Sequence, residues 1–257
     1  MAIAVDASSP AIVTGTTPRT TASFTAPADS LLVALCGSNS GTVTHTVTNS
    51  GTALTWTSRA KRDILDSGGA TPAVEIFTAP AAPSVARTVT LASNSGGDTV
   101  ELKLLVLTGV DLAAPVGATG EGSSATANLT AAVYTSTAAN SRAVGIAADQ
   151  NQAGTPTSSD VGFAWNISGQ SSGIAVYKAA DTPTVGSSVT LNFDGTGGSR
   201  AWNWCGIEIL PAVIPFVARA RHHAGPGSQP RRLLLTGGRA WLASAGLIRS
   251  RSASVAV

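Results

Sequence analysis

The sequence predicts an all-β fold: a jelly-roll-like antiparallel β-sandwich with internal strand duplication, carrying an extended C-terminal arm. Three observations lead there. Thr, Ser, Val and Gly are abundant in a chain of 257 residues with 27 Gly and only 12% charged residues, the mixture of short strands joined by tight turns. Apolar and polar residues alternate with a period of two through most of residues 1–212, between Gly, Asn, Asp and Pro breaks. The order of strand-like stretches in the first half is repeated in the second.

The first strand set is 31–36, 43–48, 53–60, 73–79, 85–92 and 99–108. The second is 131–136, 142–148, 161–167, 173–179, 186–193 and 202–210. No helix-length segment with a 3.6-residue period interrupts them. "FTAPADSLLVALCGSNS" at 24–40 parallels "YTSTAANSRAVGIAADQ" at 134–150, and "VEIFTAPAAPSVARTVTLASN" at 74–94 parallels "IAVYKAADTPTVGSSVTLNFD" at 174–194. "LTWTSRA" matches "FAWNISG", and "VELKLLVLTG" matches "AWNWCGIEIL". Two sheets that bury one face each against the other account for such a pattern. The expectation is one sandwich domain over 1–212, with two smaller sandwiches as the alternative.

One strand can be oriented. Val100, Leu102, Leu104 and Val106 alternate with Glu101 and Lys103. A buried unpaired charge is costly, so the charged pair is expected to face outward, with Leu105 and Leu107 beside it. Aligned onto the second half, Glu101 and Lys103 fall on Trp202 and Trp204, which should then also face away from the core, while Cys205 falls on Leu104 and points in. Such an apolar outer face calls for a cover. A loop or tail of the same chain, a subunit contact, or a flat sugar bound to Trp202 and Trp204, with Trp165 as a candidate third ring, would each supply one.

Motifs for chemistry are few. "GQSSG" at 169–173 fits G-x-S-x-G by letter, with Ser171 at its centre, and Asp181 or Asp194 with His222 could complete a triad. A nucleophile elbow needs a helix after the turn; the alternating "IAVYKAA" comes next instead, so a hairpin turn is expected and no catalytic residue is assigned. His45 stands alone in a strand, and the adjacent His222 and His223 point opposite ways in an extended chain, so no metal or other cofactor is predicted. Cys36 and Cys205 are too few for a disulfide scaffold and are expected as buried free thiols. No run approaches a membrane span. "MAIAVDASSP" has neither a basic n-region nor an apolar h-region, so synthesis in the cytosol without a signal peptide is expected.

The net charge of +2 hides an asymmetry. All 14 acidic residues and 9 basic ones lie in 1–212, whereas 213–257 holds seven arginines and no carboxylate. The arm has too little apolar mass for a core of its own. Its apolar clusters flanked by arginine suit docking: Arg219, Arg221, Arg231, Arg232 and Arg239 would pair with carboxylates, and Leu233, Leu234, Leu235 and Trp241 would fill a groove. Arginines interleaved with Leu and Trp, without a dense basic run, argue against a nucleic-acid arm.

"TAPADSLLVAL", "LTWTSRA", "AVEIFTAPA", "TVTL" and the closing "GIEILPA" resemble the β-sandwich virion proteins, often minor tail proteins, of tailed phages that infect actinobacteria. The resemblance covers roughly 1–212, and the Arg-rich segment beyond it looks like the C-terminal extensions of such domains. It implies a non-enzymatic virion component whose partners are other virion proteins, copies of itself (a homo-oligomer) and a host cell-surface glycan. Head decoration and a carbohydrate-binding module are the alternatives.

Overall fold

The computed structural model describes residues 2–64, 72–81, 84–126, 128–149, 154–194 and 202–213. Among these the regular structure is entirely strand, and every paired strand is antiparallel. The first half contributes β1 (Ala4–Val5), β2 (Val13–Thr16), β3 (Arg19–Thr20), β4 (Phe24–Thr25), β5 (Ser30–Ser38) and β6 (His45–Asn49). It continues with β7 (Thr57–Arg62), β8 (Ala73–Ala81), β9 (Ala86–Arg87), β10 (Val89–Ser93) and β11 (Thr99–Thr108). The second half has β12 (Val116–Ser124), β13 (Asn128–Thr135), β14 (Arg142–Asp149), β15 (Val161–Ile167), β16 (Ser171–Tyr177), β17 (Ser188–Asp194) and β18 (Trp202–Ile209).

The duplication is present in the topology. One large sheet runs β11-β5-β8-β7 and the other runs β18-β14-β16-β15. Asp29 and Asn140, 111 residues apart, both take a left-handed backbone, φ 57° and 60°, in the turn that leads into β5 or β14. Asx side chains tolerate that conformation better than most.

Each large sheet has a sandwich partner of its own. Leu32, Ala34, Leu102, Leu104 and Val106 pack with Val47, Val89 and Leu91 from the small sheet β3-β10-β6. In the second half Ala147, Ile174, Val176 and Trp202 pack with Val133, Leu191 and Phe193 from β13-β17. The opposite faces of the two large sheets meet each other. Leu31, Val33, Leu35, Ile76, Leu105 and Leu107 share a core with Val144, Ile146, Trp165, Ala175, Cys205 and Ile207. Four sheets are therefore stacked, with alternate side chains of each central strand feeding two different cores.

That stacking corrects the expected orientation. Leu105 and Leu107 do point away from their own half's core, but the cover is the other half's large sheet. Glu101 and Lys103 share that face and are buried, with 0% and 3% exposure, instead of facing solvent. The tryptophans are corrected by one residue of register. Leu105 pairs with Val33, and Ile207 with Val144, so Leu105 and Ile207 are the equivalent positions. The offset between β11 and β18 is thus 102 residues, not the 101 that sets Glu101 on Trp202. A one-residue slip moves every side chain to the other face. Trp202 is equivalent to Val100 and lies wholly buried in its own half's core, with Trp204 half-buried against it. Cys205 is equivalent to Lys103, not Leu104, and points into the central layer.

Candidate functional site

The docking residues Arg219, Arg221, Arg231, Arg232, Leu233, Leu234, Leu235, Arg239 and Trp241 lie outside the described residues. The other sequence candidates are placed. Trp202 is fully buried, Trp165 sits in the central core at 4% exposure, and Trp204 lies across β12 at Gly122. The three cannot form the open platform that stacking on a sugar ring requires.

Ser171 opens β16, directly after the turn that joins it to β15; Gln170 N donates to Ile167 O at 3.0 Å, and Gly169 takes φ 77°. The expected hairpin is present. Ser171 is buried, and its hydroxyl donates to Glu101 Oε1 at 2.6 Å. Asp181 is held by Arg142 Nε at 2.7 Å, so the lettered triad is not assembled from these two. Cys36 and Cys205 are free and buried, and burial pushes both thiols well up. They face different cores, Cys36 the first half's own and Cys205 the central one. Among the described residues no three His, Cys, Asp or Glu side chains are grouped to hold a metal ion, and no helix is long and apolar enough to cross a membrane.

The structure assembles two polar clusters that strand patterning did not show. In the first, Ser38 of β5, His45 of β6, Ser58 of β7 and Glu75 of β8 form a chain. Ser38 Oγ donates to Ser40 O at 3.0 Å, so His45 Nε2, 3.1 Å away, supplies the hydrogen between them. His45 Nδ1 stands 3.3 Å from Glu75 Oε2, and Ser58 Oγ donates to Glu75 Oε1 at 2.6 Å. The order Ser, His, Glu is that of a nucleophile relay. Its chemistry is structural, because Ser38 is wholly buried and its one hydrogen is committed to a carbonyl. The chain links both sheets of the first sandwich.

The second cluster lies between the halves. Lys103 Nζ donates to Pro10 O at 2.6 Å and sits 3.9 Å from the Phe163 ring centre, a cation–π contact from one half to the other. Burial lowers its pKa to about 8. Burial raises Glu101 to about 8, against the lowering effect of the Ser171 hydrogen bond. Asn203 Nδ2 donates to Ile64 O at 3.1 Å and Pro72 O at 2.7 Å, and its Oδ1 accepts from Ser123 Oγ at 2.6 Å. Lys103, expected outside, is thus held inside by a backbone carbonyl and an aromatic ring, and Glu101 by the Ser171 hydroxyl.

Glu208 is a further buried carboxyl, on the face of β18 opposite Asn203. It accepts from Ala118 N at 2.9 Å, from Thr137 N at 2.9 Å and 3.0 Å, from Thr137 Oγ1 at 2.6 Å and from Ala138 N at 3.2 Å. Burial raises its pKa, but hydrogen bonds from Thr137 and Ala118 outweigh this and hold it below the usual carboxylate range.

No family model, no curated protein and no solved structure matches the chain.

Proposed function

We propose that the protein is a non-enzymatic structural component of a phage virion, a minor tail or tail-tip protein, anchored through residues 213–257. One observation carries the reading: the chemistry for engaging a partner is concentrated in the arm. Both faces of each large sheet are covered within residues 2–213, where Ile64, Val185 and Val213 are the large apolar side chains left exposed among the described residues. The arm combines seven arginines, no carboxylate and the apolar run "RRLLLTGGRAWL". Arginine with Leu and Trp suits a partly dehydrated contact with an acidic, grooved protein surface. The polar clusters of the body are buried and tie strands to one another, which suits a rigid module better than a reaction site. In this reading the sandwich loops face outward, toward a host-surface glycan or toward neighbouring copies.

The test is removal of the arm. A chain ending at residue 212 should keep the strand circular dichroism and melting temperature of the full chain, yet be missing from purified particles by mass spectrometry. Truncated chain recovered in particles at the full-length level would exclude the anchor. Labelling the full chain and imaging the particle distinguishes a tail position from head decoration.

A further inference from the structure

Glu101 is a buried carboxyl with no cation paired to it among the described residues. It lies on β11 between its cross-strand neighbours Thr14 and Gly37, with 0% exposure. Ser171 of the second half donates to its Oε1 at 2.6 Å, while Oε2 has no hydrogen-bond partner among the described residues. Trp165 Nε1, also from the second half, is buried without a partner too. Both side chains crowd Gly37, where a Cβ would stand 2.9 Å from Glu101 Oε2 and 3.3 Å from the Trp165 ring.

Among the described residues no cation compensates the carboxyl. β2 and β15 carry no titratable residue, and Cys36 of β5 turns into the other core. On β16 the titratable group is Tyr177, at the opposite end of the strand from Ser171. On β11 itself Lys103 is engaged by Pro10 O and Phe163. A carboxylate with one hydrogen bond and no countercharge is disfavoured in such a layer, whereas a carboxylic acid is tolerated.

We propose that the Glu101 carboxyl is a proton-operated latch between the two halves: as the neutral acid it lets the large sheets stay in dry contact, and its ionisation admits water between β11 and β16. The rise of its pKa to about 8 agrees in direction with this burial. The charge gives water a reason to enter, and the buried, unpartnered Trp165 Nε1 is a further polar group of the same layer for it to satisfy.

The test uses the full chain. Infrared difference spectra should show a protonated carboxyl C=O band near neutral pH that disappears on alkalinisation and is absent from Glu101→Gln. Amide exchange in β5, β11 and β16, corrected for the chemical rate, should rise about tenfold between about pH 7 and pH 9, tracking the ionised fraction. Glu101→Gln should lack this rise. Ser171→Ala removes a bond that favours the carboxylate, so it should move the midpoint upward, and this variant decides the matter if Glu101→Gln does not fold. An absent carboxyl band, or an exchange response unchanged in both variants, overturns the latch.

Discussion

Glu101 and Asn203 occupy one and the same position of the duplicated strand. Glu101 pairs with Gly37 and Asn203 with Ala148, and those partners are themselves 111 residues apart, the spacing of Asp29 and Asn140. Each sends a polar group across the central layer. Glu101 receives Ser171 from the second half, and Asn203 donates to Ile64 O and Pro72 O of the first. A repeated strand has thus given two crosswise polar ties between the halves, beside those of Arg62 with Ser123 and Glu121 and of Gln170 with Asn39 and Thr99, and together they fix the register of one sheet on the other.

Asn203→Ala should therefore destabilise the body beyond the loss of a small side chain. It strands the buried carbonyl of Pro72, at a cost of about 1–3 kcal/mol, and releases the part-buried Ile64 carbonyl and Ser123 hydroxyl as well. Urea unfolding should give a midpoint well below wild type. A change under about 0.5 kcal/mol, the range of ordinary surface substitutions, would mean that the tie contributes nothing.

Trp202→Ala separates a core role from a surface one. Trp202 is the largest fully buried side chain among the described residues, so its truncation should cost about 3–5 kcal/mol. Trp204→Ala should cost less, because Trp204 is half-buried. Equal, negligible costs measured by thermal unfolding would place both rings on the surface.

The predicted strands were legible because their alternation survives in Val, Ile, Leu, Thr and Phe. Each of the twelve expected segments contains observed strand, including both strands flanking the Ser171 turn. The strand β12 was not legible. Its sequence "VGATGEGSS" has the composition of a loop, yet its glycines are spatial requirements. A Cβ at Gly117 would stand 2.4 Å from Glu208 Oε2, at Gly120 1.8 Å from Val133 O, and at Gly122 2.5 Å from the Trp204 ring. The strands β1, β3 and β4 are two residues each, too short for any period to register. The buried charges were misplaced for another reason. Alternation identifies two faces of a strand but not what lies against each, and in a four-sheet stack the face turned from one core belongs to another.

Glu208 should control acid stability. Its folded pKa lies below that of the unfolded chain, so its contribution is present above the ordinary glutamate range and is lost as pH falls through the folded value. Glu208→Gln should flatten this part of the acid limb, and Glu208→Ala should cost at least about 3 kcal/mol near neutrality by stranding several backbone donors. Chemical unfolding across the acid range measures both. An unaltered acid limb in Glu208→Gln would assign the limb to other carboxyls.

Lys103 and Glu101 act on alkaline stability with opposite signs. Glu101 has a raised folded pKa, about 8, so between the ordinary glutamate value and 8 the unfolded chain releases the proton that the folded chain keeps, and stability falls as pH rises. Lys103 has a lowered folded pKa, also about 8, so above 8 the unfolded chain keeps the proton that the folded chain has released, and stability rises until the unfolded lysine titrates near 10.5. The pair thus contributes a minimum of stability around pH 8. Lys103→Met keeps the length of the side chain and its contact with Phe163 but removes the charge, so the rise above pH 8 should disappear while the fall below it remains. Denaturant midpoints at about pH 6, 8 and 10 for wild type and Lys103→Met test the assignment; an alkaline rise of equal size in both chains would show that Lys103 is not its source.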